Sequence, residues 1–178
     1  ALVLLVIAGL AVGAPLFASA DPNDTAVLQR LKAPSAEHLL GTDELGRDMY
    51  ARIVHGARYS LAIAALTALG SALPGSVRGL MAGFFRLLDA PLMRVVDAMM
   101  SFPDILLAIA LVAILGPSLM NTVLALVLVY TPRVARVVRA STLVVRELLF
   151  VEAVRALGVR TSRILWRHIL PNLLSAVL

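Results

Sequence analysis

The stretch RELLFVEAVRALGVRTSRILWRHILPN, residues 146–172, lies between very hydrophobic segments and indicates two short amphipathic helices joined by a glycine. In the first helix the apolar residues recur at helical spacing: Leu149, Ala153, Ala156 and Leu157. Gly158 then supplies the positive φ that the C-terminus of a helix often needs. The second helix, capped by Thr161 or Ser162, has two faces, one with Ile164, Leu165, His168 and Ile169 and one with Arg160, Arg163 and Arg167. The pattern predicts a basic helical hairpin at a membrane surface.

The composition supports a membrane protein. Hydrophobic residues make up 60% of the 178 residues, above the roughly 45–50% typical of soluble domains, and the mean hydropathy is +0.92. The net charge of +5 suggests anionic lipid headgroups as its partner rather than nucleic acid, because the arginines lie between hydrophobic segments. The absence of cysteine from these residues excludes disulfides and thiolate metal sites within them.

The hydrophobic segments predict an all-α, polytopic integral membrane protein with about four spans and the start of a fifth. The spans are predicted at residues 1–18, 59–77, 105–116, 119–138 and 171–178, joined at 21–58, 78–104 and 146–170. A signal peptide is the alternative for residues 1–18, but their apolar core exceeds the usual length of about 7–15 residues. The sequence begins and ends inside apolar runs, so we expect the protein in the cell to be longer.

The charges of the connections predict an orientation. Residues 21–58 contain five basic and six acidic residues, whereas 78–104 and 133–168 together contain eleven arginines and five acids. Because cytoplasmic connections carry the excess of Lys and Arg, the helical hairpin is predicted to be cytoplasmic and residues 21–58 external. Two charge pairs in the second connection, Arg86/Asp89 and Arg94/Asp97, are three residues apart and are predicted to pair within one helix at the membrane surface.

Residues 41–48, GTDELGRD, stand out in the external connection. Thr42 or Asp43 is predicted to cap an interfacial helix that begins near Glu44. Further along the chain, Asn121, Thr122 and Tyr130 are the polar side chains that could face a translocation path, although hydrogen bonding between helices explains them equally well.

Two of these stretches resemble motifs of a known family. The order Glu152-Ala153, Gly158, Ile169-Leu170-Pro171 is similar to the EAA…G…I-x-LP loop of bacterial ABC-importer permeases, with Val154 in place of the third motif residue and no extra residue before the Leu-Pro pair. The external motif resembles the GTDxxGRD segment of dipeptide, oligopeptide and nickel importer permeases of the C type, and residues 96–121 also resemble that family. The external motif residues are Gly41, Thr42, Asp43, Gly46, Arg47 and Asp48.

The resemblance implies a transmembrane domain of the type I importer class, which has six spans, in the bacterial cytoplasmic membrane. The helix around the EAA motif would dock on a separate ATPase and couple ATP hydrolysis to transport. The coupling residues would be Glu152, Ala153, Arg155, Ala156, Leu157 and Gly158. The implied partners are a sister permease, two ATPase subunits that carry the ATP and magnesium, an external substrate-binding protein and membrane lipids. Peptides would be the substrate, with nickel or glutathione as alternatives.

The sequence contains no catalytic or metal motif. The sole lysine, Lys32, follows no glycine loop, and the three histidines are far apart. The predicted spans hold few ionisable residues, whereas a proton-coupled carrier usually has a buried relay of them. We therefore expect a non-enzymatic permease subunit without a cofactor of its own. A secondary transporter or channel whose basic loop binds only lipids, or a membrane scaffold, remains as the alternative class.

Overall fold

A computed structural model of the chain describes residues 8–9, 11–18 and 21–171, and every regular element in them is helical. The helices are α1 (Ala14–Phe17), a 3₁₀ turn (Val27–Gln29), α2 (Met49–Phe84), α3 (Arg86–Met100), α4 (Asp104–Leu115), α5 (Leu119–Val145), α6 (Leu149–Ala156) and α7 (Thr161–Ile164), which continues into a π-helical turn (Leu165–Ile169). The chain divides into two compact units, residues 1–65 and 66–178.

In the first unit, the first turns of α2 pack against α1. Ala14, Ala18, Ala51 and Val54 are buried together, with Tyr50 packed beside them. The ring of His55 lies 3.2 Å from the carbonyl oxygen of Ala18 through its Nε2 atom. The connection before α2 is irregular but ordered by polar contacts, and we call residues 26–48 the collar.

The predicted start of the helix after the external motif is wrong. We expected a cap at Thr42 or Asp43 and a separate interfacial helix from Glu44, but α2 begins at Met49 and continues without a break to Phe84. Gly46 has φ +75°, which a helix does not permit, and the Asp48 carboxylate accepts the N–H of Ala51 at 2.8 Å. Asp48 is therefore the N-cap of α2, and the Asp43 carboxylate accepts hydrogen bonds within the preceding turn.

In the second unit, α2 packs closely against α5 along a line of glycines. A Cβ atom on Gly70 would lie 2.6 Å from the side chain of Val127, and one on Gly75 would lie 2.6 Å from Val134. The absence of a side chain at these positions lets the two helices approach closely. The line continues at Gly79 and Gly83, which lie against Val138 and Thr142.

Three arginines of α5, spaced three residues apart, hold α3 and α4 by ion pairs. Arg139 bonds Asp89 in a bidentate pair at 2.5 and 2.6 Å, Arg136 bonds Asp97 at 2.6 Å, and Arg133 pairs with Asp104. The predicted partners of Asp89 and Asp97 within α3 are therefore wrong. Arginines from a neighbouring helix reach the carboxylates, a contact that spacing along one helix cannot reveal.

One described helix, α2, is long and apolar enough to cross a membrane. A second crossing is obtained if α3 and α4, which meet at an angle of 84°, form one broken span. The predicted span at residues 59–77 lies within α2, and those at 105–116 and 119–138 lie on α4 and α5. Residues 1–7 and 10, and all but Pro171 of 171–178, lie outside the residues that the structure describes, so the number of spans stays a prediction.

Candidate functional site

The helix α6 is anchored by one face. Val151 is completely buried and Val154 is half-buried, and both belong to a cluster with Leu80 of α2 and Val138 of α5. Ile164 and Ile169 of the second helical segment complete the cluster, as the predicted apolar face required. The inward position of Val154 also explains why an alanine is not needed at this motif position, because the larger side chain fills the core.

The opposite face of α6 is open. Leu149 is 83% exposed and Leu157 is 80% exposed. A shallow groove runs along this face, lined by Leu149, Glu152, Ala153, Arg155 and Ala156. The apolar positions identified from the sequence are therefore on the exposed side, and Val151, which we did not single out, is the buried anchor. Two small alanines between exposed leucines leave room for a partner surface to approach the helix closely.

The end of α6 has the predicted geometry. Gly158 has φ +72°, and its N–H donates to the carbonyl oxygen of Arg155 at 3.0 Å. No atom lies within 4 Å of the position that a Cβ would occupy on Gly158. The glycine is required by backbone conformation and not by lack of space.

Glu152 and Arg155, one turn apart on α6, do not pair with each other. The guanidinium of Arg155 lies 5.7 Å from the centre of the Phe84 ring, in cation–π geometry, and Glu152 has no ion pair among the described residues. Arg155 therefore ties α6 to the end of α2, while Glu152 stays on the exposed face.

The external motif is built around the Asp43 carboxylate. Its Oδ1 atom accepts the N–H groups of Leu45 at 2.8 Å and Arg47 at 3.0 Å, and its Oδ2 atom accepts the Arg47 guanidinium at 2.7 and 2.8 Å and that of Arg52. Burial opposes ionisation of Asp43, but the hydrogen bonds and the positive charge of Arg47 outweigh it and hold the pKa of Asp43 well below its usual range.

A second carboxylate, Asp48, joins the collar to the start of α2. Its Oδ2 atom lies 2.8 Å from Nδ1 of His38, whose Nε2 atom lies 2.7 Å from Oε1 of Gln29. Burial raises the pKa of Asp48, but the N–H of Ala51 and the ring of His38 lower it more, so the net pKa is below its ordinary value.

Only glycine fits at the two glycine positions of the external motif. Both Gly41 and Gly46 have φ +75°, and a Cβ atom would collide with the carbonyl oxygen of Lys32 at Gly41 and with that of Ala26 at Gly46. Thr42 holds the same segment, since its hydroxyl accepts the N–H of Lys32 at 2.9 Å and donates to the carbonyl oxygen of Gln29. The motif residues therefore bind one another and the preceding segment of chain.

The residues predicted to line a path are engaged locally. Asn121 donates through Nδ2 to the carbonyl oxygens of Leu115 at 2.7 Å and Gly116 at 3.0 Å, which closes the turn between α4 and α5. The Thr122 hydroxyl donates to the carbonyl oxygen of Ser118 at 2.8 Å. The Tyr130 ring lies 5.7 Å from the Arg133 guanidinium carbon. Of these contacts, only the hydrogen bonds of Asn121 join two helices, and Thr122 also lines an apolar cavity of about 430 Å³ on α4 and α5.

The described residues hold no group of three or more His, Asp or Glu side chains with metal-site geometry. An apolar cavity of about 450 Å³ in the second unit is lined by residues of α2, α3, α4 and α5. It is lined almost wholly by aliphatic side chains, so it offers few polar groups that could bind a ligand.

These features define a helical protein in which α6 is anchored against the long helices α2 and α5 and is exposed on its other face. The chain belongs to the family described as the binding-protein-dependent transport system inner membrane component, whose model matches residues 75–178, more than half of its length.

Curated relatives cover nearly all of the chain. A protein of Brucella suis, provisionally named a peptide transport system permease protein, is 47% identical over 175 residues, 98% of this chain and 59% of the relative. The dipeptide transport system permease protein of Alkalihalophilus pseudofirmus is 44% identical over 95% of this chain and 56% of its own length. The glutathione transport system permease protein of Pectobacterium atrosepticum is 42% identical over 82% of this chain and 49% of its own length. The chain thus spans about half the length of the curated relatives it matches.

Proposed function

We propose that this chain is part of a permease subunit of an ATP-driven importer, and that α6 is the surface on which a separate ATPase subunit docks. The observation that carries the proposal is the two-sided character of α6, with Val151 buried and Leu149 and Leu157 exposed. An exposed apolar face on a firmly anchored helix is typical of a protein-binding site. The names of the relatives support transport as the context.

Movement of α6 would be transmitted through three contacts to the longer helices. Val151 packs in the cluster with Leu80 and Val138, the Arg155 guanidinium lies over Phe84, and Arg146 donates through Nη1 to the carbonyl oxygen of Gly83 at 2.7 Å. Because packed cores are not continuously deformable, a push on α6 would shift the ends of α2 and α5 with it. Those helices would then switch access between the two faces of the membrane.

The location, partners and substrate of the proposed importer are inferred from the family to which the chain belongs. The chain would lie in the bacterial cytoplasmic membrane with α6 on the cytoplasmic side, as the arginine-rich connections favour. It would assemble with a sister permease, two ATPase subunits that hold ATP and magnesium, and an external binding protein. Peptides are the proposed substrate because two of the three relatives described above carry peptide or dipeptide in their names. The relative named for glutathione makes that tripeptide-like molecule the second candidate.

Replacing Ala153 by arginine tests the docking role. Ala153 is exposed on the groove face, so a bulky charge there should leave the fold intact and block the partner. We expect the full-length permease with Ala153→Arg, reconstituted with its partners, to lose about tenfold or more of ATP-driven uptake of a labelled dipeptide. ATPase subunits should also co-purify with it poorly.

Ala90→Arg is the matched control, because Ala90 is an exposed alanine of α3 that does not line the groove. It should transport like the unmodified protein. Uptake and ATPase recovery by Ala153→Arg at the level of Ala90→Arg would remove the docking role. Uptake of the dipeptide without ATP or partner subunits would instead identify a secondary transporter.

A further inference from the structure

We propose that a basic cavity beside α6 binds a phosphate-bearing anion, either the headgroup of an acidic phospholipid or free phosphate. The cavity has a volume of about 280 Å³ and is lined by Phe84, Arg86, Arg146, Glu147 and Arg155. It is formed where the end of α2, the start of α3, the end of α5 and α6 come together. This cavity shares Arg155 with the groove on the outer face of α6, whereas its other lining residues lie outside that groove. The proposed site adds to the proposed transport function.

Two of the three guanidinium groups are held in position by the protein. Arg146 is 16% exposed and donates through Nη1 to the carbonyl oxygen of Gly83 and through Nε to the Glu147 carboxylate, at 2.7 and 2.8 Å. Arg155 is positioned by the Phe84 ring at 5.7 Å. Side chains that are fixed before binding lose little entropy when a ligand arrives, which strengthens binding.

The charge around the cavity is not balanced. Three arginines line it against one carboxylate, and that carboxylate, Glu147, is 69% exposed and already bonded to Arg146. Among the described residues Arg86 has no ion pair. The arginines of α5 differ, because Arg133, Arg136 and Arg139 each have an aspartate partner. The cavity therefore holds an excess of positive charge that an anion would neutralise.

A phosphate group fits this arrangement. The planar guanidinium offers several N–H donors in a fork that matches phosphate oxygens, and the three arginines that line this cavity each carry such a group. Basic cavities between membrane helices on the cytoplasmic side are suited to the headgroups of acidic lipids. Glu147 would sit at the rim, where its exposure lets water screen its repulsion of the ligand.

The test compares phospholipid retention by purified full-length permease variants. The protein is extracted from vesicles of phosphatidylcholine with phosphatidylglycerol, and bound lipid is counted by native mass spectrometry. Arg86→Gln should retain several-fold less phosphatidylglycerol than the unmodified protein, and Arg86→Lys should retain an intermediate amount. Arg94→Gln is the matched control, since Arg94 is an exposed arginine of the same helix outside the cavity, and it should behave like the unmodified protein.

A second arm distinguishes the source of the phosphate. Inorganic phosphate is added in neutral detergent, at an ionic strength matched with chloride, and the thermal unfolding midpoint is recorded. A rise that depends on Arg86, without selective lipid retention, identifies free phosphate as the ligand, whereas lipid retention alone identifies the headgroup. Both results support the site. Arg155→Gln serves as a second variant if Arg86→Gln does not fold.

The proposal is overturned if the Arg86 and Arg94 variants retain equal lipid and respond equally to phosphate. Neither measurement requires an ATPase, a substrate or transport. A failure here therefore leaves the proposed docking of α6 untouched, and a transport defect of Ala153→Arg says nothing about this cavity.

Discussion

In the collar, the Asp43 carboxylate accepts bonds from Leu45, Arg47 and Arg52, and a Cβ on Gly46 would strike the chain at Ala26. In α6, the motif residue Glu152 has no described ion pair and Ala153 lies open on the surface. Both stretches carry a recognisable motif, yet one motif is saturated by contacts within the chain and the other is left open.

This difference shows that a sequence motif can have either of two roles, folding of the chain or binding of a partner. Residues whose polar groups are already satisfied by neighbouring backbone and side chains contribute to folding, because a ligand would have to break those bonds. Residues exposed on an anchored element contribute little to folding and are available to a partner. We infer that GTDELGRD is a structural motif of the collar, whereas the motif in α6 forms an interface.

The largest effect on stability should come from Gly46→Ala. The new methyl group would meet the carbonyl of Ala26 in addition to adopting a positive φ, so we expect a loss of about 3 kcal/mol or more in the free energy of unfolding. Chemical denaturation of the purified full-length protein in detergent measures it. Gly56→Ala is the control, because Gly56 lies in α2 with no atom within 4 Å of a Cβ, and it should be neutral or gain up to about 1 kcal/mol. Equal stability of the two variants would show that the collar is not folded this way.

Acid should loosen the collar. The pKa values of Asp43 and Asp48 are lower in the folded protein than the value of about 3.9 expected in the unfolded chain. Both groups therefore stabilise the fold above pH about 4, and this contribution is lost as the pH falls from there through the folded pKa values. Hydrogen exchange at the amides of residues 41–51, corrected for the intrinsic rate, should rise over this range.

Asp43→Asn provides the control for the acid effect. The variant should show faster exchange in the collar already at neutral pH and a weaker further dependence on pH, because one of the two titrating groups is gone. An unchanged pH profile in this variant would mean that the carboxylate of Asp43 does not hold the collar.

The sequence predicted local features of both regions and missed the contacts made over distance. Helical spacing located α6, and Gly158 was correctly expected to have positive φ, because both depend on neighbouring residues. The helix start near Glu44 was wrong because Asp43 bonds within a turn and Asp48 takes over the cap. Spacing could not show which face of α6 is buried, since burial depends on what packs against it from α2 and α5.

Gly158→Ala should lower the free energy of unfolding moderately. The comparison with Gly46 separates a glycine required by positive φ alone from one that is also required by lack of space. Gly158 has positive φ but open space around it, so an alanine there costs only the backbone strain of about 1–2 kcal/mol. Gly158→Asn should cost less, because asparagine tolerates this conformation. Gly46→Asn should gain no such relief, since the clash with Ala26 remains. Chemical denaturation of the alanine and asparagine variants at Gly46 and Gly158 measures these four changes in stability. If asparagine were less destabilising than alanine at both positions, the proposed difference between the two glycines would be contradicted.

The smallest effect on stability is expected at Leu157, where the contrast with Val151 tests whether α6 is an interface. Leu157 is 80% exposed, so Leu157→Ser should change the free energy of unfolding by less than about 0.5 kcal/mol. Val151 is fully buried, so Val151→Ala should cost about 2 kcal/mol through lost burial and a cavity. Recovery of ATPase subunits with the purified permease should fall for Leu157→Ser despite its intact stability. If recovery falls only in the destabilised Val151 variant, the exposed leucine has no partner and the open face of α6 is merely surface.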